Sequence, residues 1–191
     1  MSTLIIQPSQ QDALLGEVVP DTNFGSDIYL YLSQDFDYSE IGEGPYVDDY
    51  TAIQFDISSL PVGAVISSAI MELYQIKSYG SSHDISWLRN TASWSEETVT
   101  WNSKPTTGDI VVSATKAATE GWHSYDITTA VQNWFSGAWS NYGLTGVKSN
   151  GNETDYLEYR SKEYGTASLR PKLTITYTIP VAFTPNFIAI V

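Results

Sequence analysis

Hydrophobic and polar positions alternate along most of this chain. The two-residue period runs through DIYLYLS (27–33), TAIQFDI (51–57), AIMELYQI (69–76), HDISWLRN (83–90) and KLTITYT (172–178). A period of two is that of a β-strand with one face buried. It points Ile28, Leu30 and Leu32 inward in the first run, and Ile53, Phe55 and Ile57 in the second. In the third run Ile70 is read as inward and Leu73 then falls out of phase. That slip predicts a bulge, or a strand buried on both faces. Turn-forming stretches SSLPVGA (58–64), NSKPTTGD (102–109) and SNGNETD (149–155) punctuate the strands. Many short strands between such turns predict an all-β sandwich or barrel.

One stretch breaks the period. In DITTAVQNWFSG (126–137), Ile127, Val131, Trp134 and Phe135 recur at helical spacing. The spacing predicts one short helix closing an end of the sandwich, with Trp134 in the core. Asp126 or Thr128 can cap its start and Gly137 can stop it. Two segments stand outside the pattern. QDFDYSEIGEGPYVDD (34–49) carries six acidic residues and no basic one, and reads as a loop inserted between two strands. IPVAFTPNFIAIV (179–191) follows a domain that residues 1–178 complete, and it is apolar. Its end, with Phe187, Ile188, Ile190 and Val191, is expected to act in assembly. It either docks on its own sheet or adds a strand to a neighbour's.

Charge narrows the partners. The 191 residues hold 9 Lys+Arg against 22 Asp+Glu, a net charge of −13. Such a surface repels nucleic acid and anionic lipid, because phosphate binding needs clustered cations. It favours cations, hydroxyl-rich ligands or a basic protein surface. With no cysteine, disulfides, thiolate nucleophiles and Cys-ligated zinc are excluded. No apolar run approaches the ~20 residues of a membrane span. MSTLIIQPSQ lacks a basic n-region and a long apolar stretch, so no signal peptide is expected.

Candidate chemistry is sparse. WSEETVTW (94–101) sets two carboxylates beside two tryptophans, as glycosidase sites do. A glycosidase needs its two carboxylates across one bond, ~5–9 Å apart. Adjacent Glu96 and Glu97 point apart and cannot serve as that pair. His83 and His123 are the only imidazoles, and His123 in GWHSYDI reads as a solvent-facing strand residue. No enzyme is expected. PDTNFGSD (20–27) offers Asp21, Asn23 and Asp27 around a glycine turn, with Asp12 upstream. Hard oxygen ligands of this kind suit Ca²⁺, and the same residues suit an Asx-turn. Trp139 and Tyr142, in the polar stretch SGAWSNYG (136–143), are the candidate glycan-contacting rings.

Six blocks in order resemble the DNRLRE domain family, which is related to an alginate-type carbohydrate-binding module. They are DTNFGSD (21–27), AIQFDISSLPVGAVISSAIMELY (52–74), TASWSEETVTWNSKP (91–105), GWHSYDITTAVQNWFSG (121–137), NYGLTGVKSN (141–150) and YRSKEYGTASLRPKLTITYT (159–178). The resemblance implies a jelly-roll-like antiparallel β-sandwich without catalytic activity. Such domains are appended to secreted polysaccharide-active enzymes and adhesins, and occur in phage structural proteins. It also implies that Trp94 and Trp101 pack the core, that Asp126 caps the helix, and that Arg170 pairs with Glu163. Gln54 stands where the family often has a basic residue, and the usual SRE reads SKE at 161–163. With cations this scarce, complementarity to an acidic glycan is poor.

The expectation is a structural or adhesive surface protein, a phage virion component such as a capsid decoration, fibre or tail protein. Its partners would be other copies of itself or other particle proteins. The alternative is a stand-alone module for an extracellular polysaccharide. Either role places it on a virion or an extracellular surface.

Overall fold

The alternating stretches form strands in a computed structural model that describes residues 1–37, 46–80, 82–149 and 156–180. The described strands are β1 (Ser2–Ile6), β2 (Gln11–Gly16), β3 (Tyr29–Asp37), β4 (Tyr46–Gln54), β5 (Val65–Ser78) and β6 (Ser82–Asn90). There follow β7 (Thr107–Ala117), β8 (Gly121–Asp126), β9 (Leu144–Lys148), β10 (Tyr156–Arg160) and β11 (Lys172–Thr178). They pair antiparallel in one curled sheet, ordered β1-β11-β5-β10-β3-β4-β9-β6-β7, with β2 on β4 and β8 on β5. The sheet folds over its own apolar face as a jelly-roll-like β-sandwich. Residues 38–45 of the acidic stretch lie outside the described residues, as does 181–191 with Phe187, Ile188, Ile190 and Val191.

β5 organises one side. Its 14 residues take β11 and then β10 along one edge, and β8 along the other. Ala69, Met71 and Leu73 are fully buried among Leu30, Leu32, Leu157, Leu173 and Ile175. Burial of each large side chain contributes about 1.5–3 kcal/mol. The slip expected between Ile70 and Leu73 is absent, since Ala69, Met71 and Leu73 keep one inward phase, and the strand's bulge lies earlier. The register against β11 shifts between Thr176 and Tyr177, leaving Ser67 as an extra residue. Ile66 and Ala69, three apart, therefore both face inward. The inward residues are Met71 and Leu73, and Ile70 is half-exposed, which corrects the expected phase. Ile28 is also corrected: it precedes β3 and is 43% exposed. β4 ends at Gln54, yet Phe55 and Ile57 stay buried.

The helix α1 (Thr128–Ser136) buries Ala130, Val131 and Trp134 against this core. Asp126 acts from one position before the N-cap, Ile127. Its carboxylate accepts from the Thr128 N–H at 2.9 Å and the Thr128 hydroxyl at 2.6 Å. One free donor of the first turn is thus satisfied, and both hydrogen bonds hold the Asp126 carboxyl below its ordinary pKa. Gly137 ends the helix in the left-handed region, φ 77°.

The interior also holds a polar chain. The Tyr159 hydroxyl lies 2.8 Å from His123 Nδ1 and 2.9 Å from the Tyr125 hydroxyl. His123 is 7% exposed, against the expectation of a solvent-facing position. Trp122 and Ser124 take the outward phase of β8, so His123, opposite Leu73, goes inward. Burial pushes its pKa down to about 4, with the nearby Lys116 ammonium adding to the effect. Among the described residues, no helix is long and apolar enough to cross a membrane.

Candidate functional site

WSEETVTW forms a corner that other loops dock on. Trp94 and Trp101 lie half-buried against a small second core of Ala13, Leu15, Ala52 and Val99, rather than in the main one. The Ser95 carbonyl accepts from the N–H groups of Thr98 and Val99 at 3.1 and 2.8 Å. Asn23 donates its side-chain amide to the Glu96 and Val99 carbonyls, both at 2.7 Å. A Cβ on Gly25 would meet the Glu96 carbonyl oxygen at 2.0 Å, so only glycine fits that approach. Ser161 fixes the other end of the docked loop by donating to the Asp27 carbonyl at 2.6 Å.

Under this corner Asp12, Glu96 and Glu163 bring carboxylate oxygens within 4.8 Å of one another. Of the four residues read as a calcium set, only Asp12 belongs here. Asp21 accepts from Asn102 at 2.8 Å, Asn23 is committed to Glu96 and Val99, and Asp27 is exposed. The Lys162 ammonium stands at 2.8 Å from Glu96 and 2.5 Å from Glu163. Burial lowers its pKa, but the bonds and charges of Glu163 and Glu96 outweigh that and hold it above its ordinary value. Asp12 is 1% exposed, and burial pushes its pKa up to about 7 against the pull of the Ser9 hydroxyl. The donor set is hard enough for Ca²⁺, but an ion would have to displace the lysine. Glu163 is thus taken by Lys162, and Arg170 instead donates to the Tyr164 carbonyl at 2.7 Å, which corrects the expected Arg170–Glu163 pair.

The loop rings are less open than expected. Trp139 is half-buried, packs on the main core, and lies under the Arg89 guanidinium at 4.5 Å. Tyr142 is half-buried, and its carbonyl accepts from Trp94 Nε1 at 2.9 Å and from the Asn90 amide at 3.1 Å. Gln54 accepts from Gln11 and donates to the Asn141 carbonyl, so its polar ends serve the fold.

A different surface gathers the aromatics. Leu30, Leu32, Leu73, Leu157 and Tyr159 take the inward phase. Their neighbours Tyr29, Tyr31, Tyr74, Tyr156 and Arg160 are therefore placed on the outer face of β8, β5, β10 and β3. Tyr74 and Trp122 meet edge-to-face at 5.3 Å, while three tilted pairs stand further along, Tyr31 and Tyr156 at 6.1 Å, Tyr79 and Tyr156 at 5.2 Å, and Tyr29 and Tyr164 at 6.4 Å. Cations sit between the rings. Lys172 lies 4.2 Å from the Trp122 ring, Arg160 3.7 Å from Tyr164, and Lys77 5.5 Å from Tyr79. Carboxylates balance them: Glu72 pairs with Lys172 at 3.2 Å, and buried Glu158 has its pKa raised by burial against the pull of Lys77. Such a face offers flat π surfaces for the C–H side of a sugar ring, with donors and acceptors for its hydroxyls. Sequence reasoning, which chose Trp139 and Tyr142, missed this face. The available signal was aromatic residues in the polar phase of YLY (29–31) and YLEYR (156–160).

The sequence profile of carbohydrate-binding module family 96 matches residues 6–177. Part of the chain is also similar to a protein named tRNA3(Ser)-specific nuclease WapA from Bacillus spizizenii, 29% identical over 140 residues. A second relative, named tRNA nuclease WapA from Bacillus subtilis strain 168, is 31% identical over 140 residues. In each case the match covers 72% of this chain and 6% of the relative's length.

Proposed function

Since the chain belongs to carbohydrate-binding module family 96, we propose that it is a non-catalytic module that grips a non-acidic extracellular polysaccharide along the outer face of β8, β5, β10 and β3. The observation that carries this reading is the row of rings and interleaved cations from Trp122 to Tyr156, set on rigid strands. A net charge of −13, with Glu72 paired to Lys172 and Glu158 beside Lys77 and Arg160, disfavours uronate or sulfated chains. The reading agrees with the DNRLRE resemblance, and it places the protein on an extracellular surface. The nuclease names belong to the WapA proteins, of which this chain spans 6%.

The test is calorimetric titration with non-acidic polysaccharides. Trp122→Ala and Tyr156→Ala should each weaken binding at least about tenfold, the loss of roughly 1.4 kcal/mol or more of stacking. Trp139→Ala and Tyr142→Ala should change it less than about twofold. The opposite pattern moves the site to the 136–143 loop. A part in a phage particle, with 179–191 driving assembly, remains a separate proposal drawn from the tail's sequence. It is tested by incorporation of a chain lacking 180–191 into particles; unchanged incorporation overturns it.

A further inference from the structure

A cavity of about 430 Å³ opens where β2, β3, β4 and β10 meet the loop after β2. Its walls are apolar: Leu14, Phe24 and the side chains of Val18 and Val19. Both valines are 42% exposed, so the rim presents apolar surface on a protein of net charge −13. Gly16 keeps the wall open. A Cβ there would meet Phe24 at 3.4 Å and Asp49 Oδ1 at 3.5 Å. Two carboxylates converge on this space, Asp27 at the surface and Asp49 at 4% exposure. Asp49 is held in place by the Ser33 hydroxyl at 3.1 Å. No Lys or Arg lines the cavity among the described residues. Two further lining residues, Tyr31 and Tyr156, also belong to the aromatic face, so the cavity continues it.

We infer that this cavity is the subsite for one sugar unit bearing a free amine, at the end of the polysaccharide gripped by the face. The inference rests on the carbohydrate-binding reading above. The volume is within the range of ordinary small-ligand sites, about 300–1,000 Å³. Valine and phenylalanine walls take the C–H face of the sugar. An ammonium group adds the attraction of a full positive charge to the hydrogen bonds that a neutral hydroxyl would also donate to these carboxylates. A carboxylate or sulfate would meet two like charges in a partly desolvated site. Acetylation of the amine removes the charge, and with it the gain.

The experiment is calorimetry near pH 6 with the glucosamine tetramer, the N-acetylglucosamine tetramer, cellotetraose and a mannuronate tetramer. The proteins are wild type, Asp49→Asn, Val19→Trp and Trp122→Ala. Val19 is at the exposed rim, so Val19→Trp narrows the cavity without touching the core, and it serves if Asp49→Asn does not fold. The glucosamine tetramer should bind wild type at least about tenfold more tightly than the acetylated tetramer or cellotetraose. That gap should close in Val19→Trp and in Asp49→Asn. Equal affinities in wild type, or a gap that survives Val19→Trp, overturn the subsite. If the glucosamine tetramer binds no more tightly than the two neutral tetramers and Trp122→Ala abolishes all three, the subsite falls and the face stands. If no tetramer binds, or mannuronate binds best, both readings fall.

Discussion

Gly25 shows how one residue fixes a corner of this fold. Its missing Cβ allows the 20–27 loop to touch the Glu96 backbone, and a methyl group there would overlap a carbonyl oxygen at 2.0 Å. Gly25→Ala should cost about 2 kcal/mol or more by overpacking, read as a lower urea midpoint. Gly165→Ala, with open space around it, should leave the midpoint nearly unchanged. His123 makes a pH-dependent contribution. Its folded pKa of about 4 lies below the ordinary 6.5, so the unfolded chain takes up a proton that the folded chain refuses. The stability it confers is complete above about pH 6.5 and is lost as pH falls toward 4, about 1.4 kcal/mol per unit. Asp12, raised to about 7, acts in the opposite sense, since its protonated form favours the fold as pH falls. Comparison between variants isolates the histidine. His123→Gln, which can still bond the Tyr159 hydroxyl, should lose about 2 kcal/mol less than wild type between about pH 7 and pH 5 in urea titrations.

At the scale of elements, α1 is the part most fully legible beforehand. Its spacing, its buried Trp134, and the roles of Asp126 and Gly137 all follow from local rules. Gly137 has φ 77° and nothing within 4 Å of its would-be Cβ, so Gly137→Ala isolates the left-handed backbone cost. About 1–2 kcal/mol of destabilisation is expected, measured by thermal or urea melting. Strands were legible where one face is wet. β5, β6 and β11 cover the alternating stretches read for them. β2 and β9 were not recognised, because they are buried on both faces and lose the period. In β9, Gly146 yields its space to the Trp87 ring, within 2.8 Å of a would-be Cβ. β7 was missed for the opposite reason: most of it is exposed or half-exposed, so the inward phase is weak.

At the scale of the molecule, charge is organised against its average. Among the described residues, Lys162 serves the one group of three carboxylates, while Lys77, Arg160 and Lys172 gather on the aromatic face. With an ammonium already between Glu96 and Glu163, the melting temperature should not move on adding EDTA or millimolar calcium. A rise with calcium that EDTA reverses would instead support the ion proposed from the sequence. Differential scanning calorimetry decides between them.

The sequence by itself determined the all-β class, the helix α1 and most inward residues of the wet-faced strands, and its summed charge carries the expectation of a poor match to anionic ligands. These depend on local period, local caps and summed charge, which need no knowledge of what neighbours what. The tertiary structure alone decided the candidate site. Tyr29, Tyr74, Trp122 and Tyr156 come from four strands far apart in the chain, and only the pairing of β8, β5, β10 and β3 makes them one surface. The same holds for Asp12, Glu96 and Glu163, which become neighbours only when three distant segments dock. WSEETVTW thus stood out in the sequence as a place for chemistry, and its place in the fold is a structural corner, because side-chain proximity is a property of register rather than of composition.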